Sequence, residues 1–157
     1  MIQWRARKMA VVRHDVFLGR EVVAFTSDVS IDFHKGDLSG SNDFILTGAQ
    51  RDWLSREKVT SPHKLIFPKQ VHGDVVWKVT EADVIRRGQV EADAAVTNVT
   101  GLPIAVRTAD CLPLLFYDPH HRVIAAVHAG WKSSQLRIVF KTIEMMRAIY
   151  GVDPARL

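Results

Sequence analysis

Three side chains with metal-binding or nucleophilic chemistry lie beside predicted β-strands. His72, Cys111 and His128 each adjoin a short apolar run bounded by Gly or Pro, a pattern typical of strands. Two imidazoles and a thiolate suit zinc, and three protein ligands leave a fourth position open for water or substrate. The same residues could instead form a Cys/His pair in which a histidine activates the thiolate. A third interpretation is structural: a buried thiol and two hydrogen-bonded turn histidines.

The spacing of these residues does not select the metal site. The chain contains neither a Cys-x-x-Cys nor a His-Glu-x-x-His pattern, and the candidate ligands are far apart in sequence. Gly73 and Gly130 permit tight turns beside the histidines, and Pro113 favours an extended backbone at Leu112. Pattern alone therefore favours the structural interpretation.

Composition places the chain among globular proteins with one core. The 157 residues are 47% hydrophobic and 24% charged, which predicts a single domain spanning residues 1–157. The net charge of +4 comes from scattered residues, so nucleic acid is not an expected partner. The single cysteine excludes an internal disulfide, and no apolar run is long enough to predict a membrane span. We expect a cytoplasmic protein; no oligomeric state follows from the sequence.

The first third of the chain predicts a hairpin, a loop and a helix. Apolar segments at 9–12 and 16–25, with polar His14 and Asp15 between them, favour the hairpin. The Ser-, Asp- and Gly-rich stretch 26–42 favours the loop. The helix would carry Phe44 and Leu54, with Asn42 or Ser41 as its N-cap.

The remainder predicts mostly strands and one long helix. Short strands are expected at 65–67, 75–79, 94–96, 104–106, 112–117 and 123–127. Apolar residues at helical spacing predict a last helix from Ser133 or Ser134 to Tyr150. Gly151 would cap it, and Pro154 would prevent its continuation.

Several other polar side chains are weaker site candidates. Asp93 and Asp110 could each orient an imidazole, although organising a turn is the commoner role. Arg107 could bind phosphate with its planar guanidinium or form an ion pair, and Gln70 could line a pocket. The remaining histidines are expected at the surface: His14, His34, His63, His120 and His121.

Four motifs in a fixed order carry a resemblance to a known family. They are Gln70-Val-His-Gly73, Glu91-Ala-Asp-Ala94, Thr108-Ala-Asp-Cys-Leu-Pro113 and His128-Ala-Gly-Trp131. Together they resemble the YfiH/laccase-domain family, also called the multicopper polyphenol oxidoreductase family, most clearly over residues 65–157. The resemblance implies an α+β fold in which mixed β-sheets pack together and are flanked by helices. Family members commonly continue beyond the equivalent of Leu157, so we expect a fold shortened at its C-terminus.

The resemblance also implies an activity and a cofactor. His72, Cys111 and His128 match the family's catalytic metal ligands, which are usually assigned to zinc. The implied reactions are phosphorolysis of purine nucleosides, including adenosine, inosine and methylthioadenosine, and deamination of adenosine. A purine nucleoside and phosphate are therefore the expected partners, and Gln70, Arg107 and Asp110 the expected substrate-binding residues.

Three other functions remain open at this stage. A copper-dependent polyphenol oxidoreductase agrees with one family name, but three ligands without a His-x-His pair fall short of a multicopper cluster. A metal-free Cys/His hydrolase or amidase would use Cys111 as its nucleophile. A shortened family member could also lack catalysis.

Overall fold

The computed structural model describes residues 12–13, 25–26, 47–56 and 58–157. Its centre is a four-stranded sheet in the order β3-β4-β6-β5, and a separate two-stranded sheet pairs β1 with β2. The strands are β1 (Val12–Arg13), β2 (Phe25–Thr26), β3 (Val76–Lys78), β4 (Ala94–Thr97), β5 (Leu112–Asp118) and β6 (Val123–Ala129). Strand β3 runs parallel to β4, whereas β4 and β5 are both antiparallel to β6. The predicted α+β class with a mixed sheet and flanking helices is confirmed.

The two central strands are rich in small side chains because both faces of the sheet are covered. On β4, Ala95 packs with Trp77 and Ile66 on one face. Its neighbour Val96 packs on the opposite face with Met146 of the last helix. This alternation follows from the two-residue period of a strand. The sheet is therefore buried between that helix and the segments around Ile66.

The predicted last helix is divided in two. Helix α2 (Trp131–Gln135) begins before Ser133, and α3 (Ile138–Tyr150) follows it. Between them Arg137 has a left-handed backbone with φ of 65°, which interrupts the helical hydrogen-bond ladder. The fully buried Ile138 follows at once, so the break redirects the chain where α3 enters the core. The prediction of one continuous helix was wrong, but its end at Gly151, with φ of 72°, is as expected.

The predicted first helix also begins later than expected. Helix α1 spans Gly48–Arg56. The Thr47 hydroxyl accepts a hydrogen bond from the Gln50 backbone N–H, and the Gln50 side-chain oxygen accepts one from the Thr47 N–H. This reciprocal capping box defines the start of the helix. The predicted caps at Asn42 and Ser41 lie outside the described residues.

Two predicted strands, at 65–67 and 104–106, do not form extended β-pairing. The backbones of segments 65–67 and 104–106 pair through one isolated bridge, between Ile66 and Ile104, and their side chains pack together. A 3-10 helix at Glu81–Arg86 was not predicted; Thr80 and Asp83 form its capping box. Of the predicted hairpin, the structure describes the antiparallel pairing of β1 with β2; its remainder and the loop after Thr26 lie outside the described residues.

Within the described part of the chain, no helix is both long and apolar enough to cross a membrane. The cytoplasmic location and the single domain over 1–157 stay predictions.

Replacing Met146 tests how strongly α3 is held against the sheet. Met146 is fully buried, whereas Ile149 on the same helix is 44% exposed. We expect Met146→Ala to lower the free energy of unfolding by about 2–5 kcal/mol because it leaves a cavity. The matched Ile149→Ala should change it by less than about 1 kcal/mol. Denaturant titration measures both; equal losses would contradict this packing.

Candidate metal centre

The structure brings His72, Cys111 and His128 together. One potential ligand atom from each side chain lies within 4.8 Å of the other two. The imidazole rings of His72 and His128 meet edge to face, with centroids 4.8 Å apart. His128 is buried, Cys111 is partly buried and His72 is exposed. The cluster therefore extends from the protein interior to its surface.

Pairing of β5 with β6 places Cys111 beside His128. Pro113 lies opposite His128, and Leu112 lies opposite Ala129. Cys111 directly precedes β5, so its thiol lies at the end of the sheet where β6 carries His128. Residues distant in sequence thus become neighbours because antiparallel strands align opposite ends of their segments.

The turn that carries His72 reaches the same end of the sheet before β3 begins. The backbone N–H of Asp93, just before β4, donates to the carbonyl of Val75 at 3.0 Å. His72 itself has a left-handed backbone with φ of 57°, an uncommon conformation for a residue with a side chain. Such strained residues concentrate at functional sites.

Gly130 supplies the space into which the cluster fits. A Cβ atom at this position would lie 3.0 Å from Cys111 Sγ and 3.3 Å from His72 Cδ2. Gly130 is buried between β6 and α2. The absent side chain therefore permits both ligand candidates to approach the backbone.

Asp93 is the main site residue that the sequence did not place in the site. Its carboxylate accepts hydrogen bonds from the backbone N–H of His72 and Gly73, at 3.0 and 2.7 Å, and contacts His128 Nδ1 at 2.8 Å. The turn role and the imidazole role, weighed as alternatives from the sequence, both occur. The available signal was an aspartate among small apolar residues directly before a strand, where a buried charge requires partners.

The environment of Cys111 favours a protonated thiol when no metal is bound. Partial burial, followed by the nearby carboxylate of Asp110, raises the pKa of the thiol. Its Sγ lies 3.7 Å from Asp110 Oδ1, to which the thiol donates. A raised pKa reduces the thiolate available to a metal-free nucleophilic mechanism.

Gln70 joins the His72 turn to the segment leading to Cys111. Its side-chain amide donates to the Arg107 carbonyl at 2.7 Å, and its oxygen accepts from the Arg107 N–H at 2.8 Å. Gln70 thus has a structural contact in this state. Substrate binding by Gln70 and by the exposed Asp110 stays a prediction.

The Arg107 side chain is a half-buried cation. Its guanidinium lies 5.2 Å from the centre of the Phe67 ring, and its buried Nε has no hydrogen-bond partner. Burial lowers the pKa of Arg107 from its usual value, since removal from water disfavours the charged form. An anionic ligand would compensate that loss of hydration.

The other described histidines lie outside the cluster. His63 and His120 are exposed as predicted, whereas His121 is half-buried. The His121 ring contacts buried Asp118 at 2.9 Å. Burial alone would raise the pKa of Asp118, but hydrogen bonds from the His121 ring and two backbone N–H groups hold it below its usual value.

The chemistry of the donor set fits a zinc ion. Zinc binds imidazole nitrogen at about 2.0–2.1 Å and thiolate at about 2.3 Å, which places tetrahedral ligands about 3.5 Å apart. The potential ligand atoms of the cluster lie within 4.8 Å of one another, so zinc binding requires them to approach by about 1 Å. Rotation of the exposed His72 side chain can supply that movement. Among the described residues this is the one such group of His, Cys, Asp or Glu. The structure thus contains a candidate metal site.

The mixed sheet with a His/Cys/His cluster at its strand ends defines an α+β protein with a candidate metal centre. A family model described as multi-copper polyphenol oxidoreductase laccase matches residues 38–157, and the chain belongs to this family. The resemblance seen in the four sequence motifs is confirmed.

Solved structures agree with this assignment. The crystal structure of a Bacillus licheniformis hypothetical protein, YfiH, is 30% identical with a TM-score of 0.60, covering 68% of this chain and 42% of that one. YlmD from Geobacillus stearothermophilus is 24% identical with a TM-score of 0.61, and the match covers 67% of this chain and 41% of the YlmD chain. The second likeness concerns the fold alone.

Curated relatives are similar over part of their length. A purine nucleoside phosphorylase of Corynebacterium glutamicum is 37% identical over 125 residues, 80% of this chain and 50% of that protein. A purine nucleoside phosphorylase of Deinococcus radiodurans is 44% identical over 88 residues, which are 56% of this chain and 32% of that protein. The chain thus spans half or less of the length of these relatives.

Substituting Gly130 tests the close packing of the cluster. We expect Gly130→Ala to weaken zinc binding at least about tenfold, because the new methyl group would displace Cys111 or His72. Gly48→Ala is the matched control, since a Cβ there meets nothing within 4 Å. Chelator competition measures the zinc affinity of both variants. Equal affinities would show that the cluster accommodates a methyl group at this position and would contradict the close packing.

Proposed function

We propose that this chain is a zinc-dependent purine nucleoside phosphorylase unit with additional adenosine deaminase activity. The observation that carries the proposal is the convergence of His72, Cys111 and His128 at one end of the sheet. The names of the curated relatives support the reaction. Adenosine, inosine and methylthioadenosine are the proposed nucleosides.

In this proposal the three clustered side chains hold the zinc ion. His128 offers its Nε2 because Nδ1 faces the Asp93 carboxylate, and Cys111 offers its sulfur as thiolate. When bound, zinc would act as a Lewis acid toward water or a polar substrate atom. The partly open arrangement suits catalysis better than a closed structural site with four protein ligands.

Phosphorolysis requires an anion beside the ribose. A phosphate oxygen bonds to the anomeric carbon while the bond from that carbon to the purine nitrogen breaks, and the departing base takes up a proton. Arg107 is the proposed phosphate contact, because its guanidinium is half-buried and its Nε lacks an acceptor. The Gln70 bonds to the Arg107 backbone tie this cation to the His72 turn.

Exposed apolar side chains beside the cluster suit a purine base. Val71 precedes His72, Leu112 follows Cys111, and Trp131 follows Gly130; they are 41%, 58% and 79% exposed. Aromatic bases bind favourably to such apolar and aromatic surfaces. Deamination of adenosine in the same site would place water at the purine carbon that bears the amino group.

Oxidation of phenols by copper is the alternative named in the family description. The described residues offer a single three-residue cluster, fewer ligands than a multicopper centre needs. Oxygen uptake with a phenol after copper loading would support that function over phosphorolysis. The raised pKa of Cys111 disfavours the metal-free hydrolase, and a non-catalytic member would bind metal without turnover.

The central test pairs metal content with nucleoside turnover. We expect the unaltered protein to bind about one zinc per chain and Cys111→Ser to lose it, because the hydroxyl is a poor substitute for thiolate. His63→Ala is the matched control, since this exposed histidine lies outside the cluster. Elemental analysis gives the metal content, and chromatography follows phosphate-dependent release of base from adenosine and inosine.

The two readouts separate the possible failures of the proposal. If Cys111→Ser loses both its zinc and its release of base, the metal site and the zinc-dependent reaction are both supported. Unchanged turnover by zinc-free protein would refute the zinc-dependent mechanism. Zinc binding without turnover of any nucleoside would leave a metal-binding, non-catalytic unit.

A substitution of Arg107 tests the phosphate contact separately. We expect Arg107→Gln to raise the KM for phosphate about tenfold or more, because a hydrogen bond to a charged group contributes about 1.5–3 kcal/mol. Arg147→Gln is the control, since this exposed arginine pairs with Glu144 on α3. Steady-state kinetics with varied phosphate measures the effect. An unchanged phosphate KM would remove Arg107 from the site.

A further inference from the structure

One buried carboxylate contacts both histidine segments of the cluster. Asp93 is fully buried. Its Oδ1 accepts from the His72 N–H at 3.0 Å and contacts His128 Nδ1 at 2.8 Å. Its Oδ2 accepts from the N–H groups of Gly73 at 2.7 Å and Val71 at 3.3 Å. Both oxygens therefore face hydrogen-bond donors.

We propose that Asp93 is the positioning residue of the metal centre. It fixes the left-handed turn at His72 and holds the His128 ring with its proton on Nδ1, which leaves the Nε2 lone pair for the ion. The inference rests on the proposed metal site and is independent of which nucleoside reaction follows.

The hydrogen-bond pattern requires two acceptor oxygens. An ionised carboxylate offers acceptors only, whereas an amide offers one oxygen and one NH₂ group. Asparagine at this position would direct NH₂ either at the backbone N–H groups or at His128. In the second orientation His128 Nδ1 would have to accept, and its proton would move to Nε2. That tautomer has no lone pair for a metal on Nε2.

The backbone of Asp93 makes this anchor rigid. Its N–H donates to the Val75 carbonyl at 3.0 Å, and its carbonyl accepts from the His128 N–H at 2.7 Å. The residue is thus bonded through its main chain to the segments on both sides. Its carboxylate links the His72 turn and the His128 strand from a fixed position.

Asp118 provides a matched control elsewhere in the fold. It is also buried, accepts from the backbone N–H groups of His120 and His121, and contacts the His121 ring at 2.9 Å. Asp118 therefore resembles Asp93 in burial and in partners, but its histidine lies outside the three-residue cluster. A general cost of losing a buried carboxylate should appear in both variants.

The first measurement uses the unaltered protein without metal. Nitrogen-15 NMR of the neutral histidine side chains reports which ring nitrogen carries the proton. We expect His128 to carry it on Nδ1 before any ion is added. A proton on Nε2 would overturn the proposal, and this readout does not depend on the folding of a variant.

The second measurement compares Asp93→Asn with Asp118→Asn. Chelator competition should show zinc affinity reduced about 10–100-fold in Asp93→Asn, the range typical of residues that orient metal ligands. Asp118→Asn should bind zinc within about twofold of the unaltered protein even if its thermal stability falls. Equal zinc affinity in both variants would overturn the proposal.

These readouts separate the inference from the proposed function. If nucleosides are not turned over but the affinity and tautomer results hold, Asp93 keeps its role and phosphorolysis fails. If turnover depends on zinc while Asp93→Asn binds zinc normally, the phosphorylase survives and the positioning role fails.

Discussion

Burial of the Asp93 carboxylate is the constraint on which the candidate site depends. A charge removed from water is costly unless hydrogen bonds replace its hydration, and here the replacements come from the turn at His72 and the ring of His128. The hydrogen bonds that satisfy the buried carboxylate are consequently the same ones that position the two histidines. A backbone that failed to form the turn would leave an unsatisfied buried charge. Pre-organisation of the two histidines thus follows from the cost of desolvating one aspartate, before any ion is present.

The sheet supplies the rest of the geometry through register. Because β5 and β6 align Pro113 with His128, the thiol just before β5 is delivered to the strand that carries the buried histidine. Small residues in β4 and β6 allow packing on both faces of the sheet, and α3 covers one of them. His128 thus lies within a strand and Cys111 directly precedes one, so the sheet restrains the spacing of these two side chains.

The sequence anticipated the strands of the central sheet because apolar runs between Gly and Pro are a local signal. It did not predict the break at Arg137, because the apolar residues keep helical spacing on both sides of this position and the pattern carries no sign of its left-handed backbone. Segments 65–67 and 104–106 have strand composition, but their backbones pair at a single bridge. For the site, resemblance selected His72, Cys111 and His128 where spacing favoured a structural role. For Asp93 the sequence left an imidazole role and a turn role open, because the backbone N–H groups and the ring that it contacts come together only after the turn has folded.

The graded exposure of the cluster has a consequence for ligand exchange. His128 is held in the interior, Cys111 lies between, and His72 faces solvent. In the proposed centre, an ion arriving from solution would meet exposed His72 first and buried His128 last. Exchange of the ion would then begin at the imidazole that reaches solvent, while His128 and Asp93 would keep its position fixed from the interior.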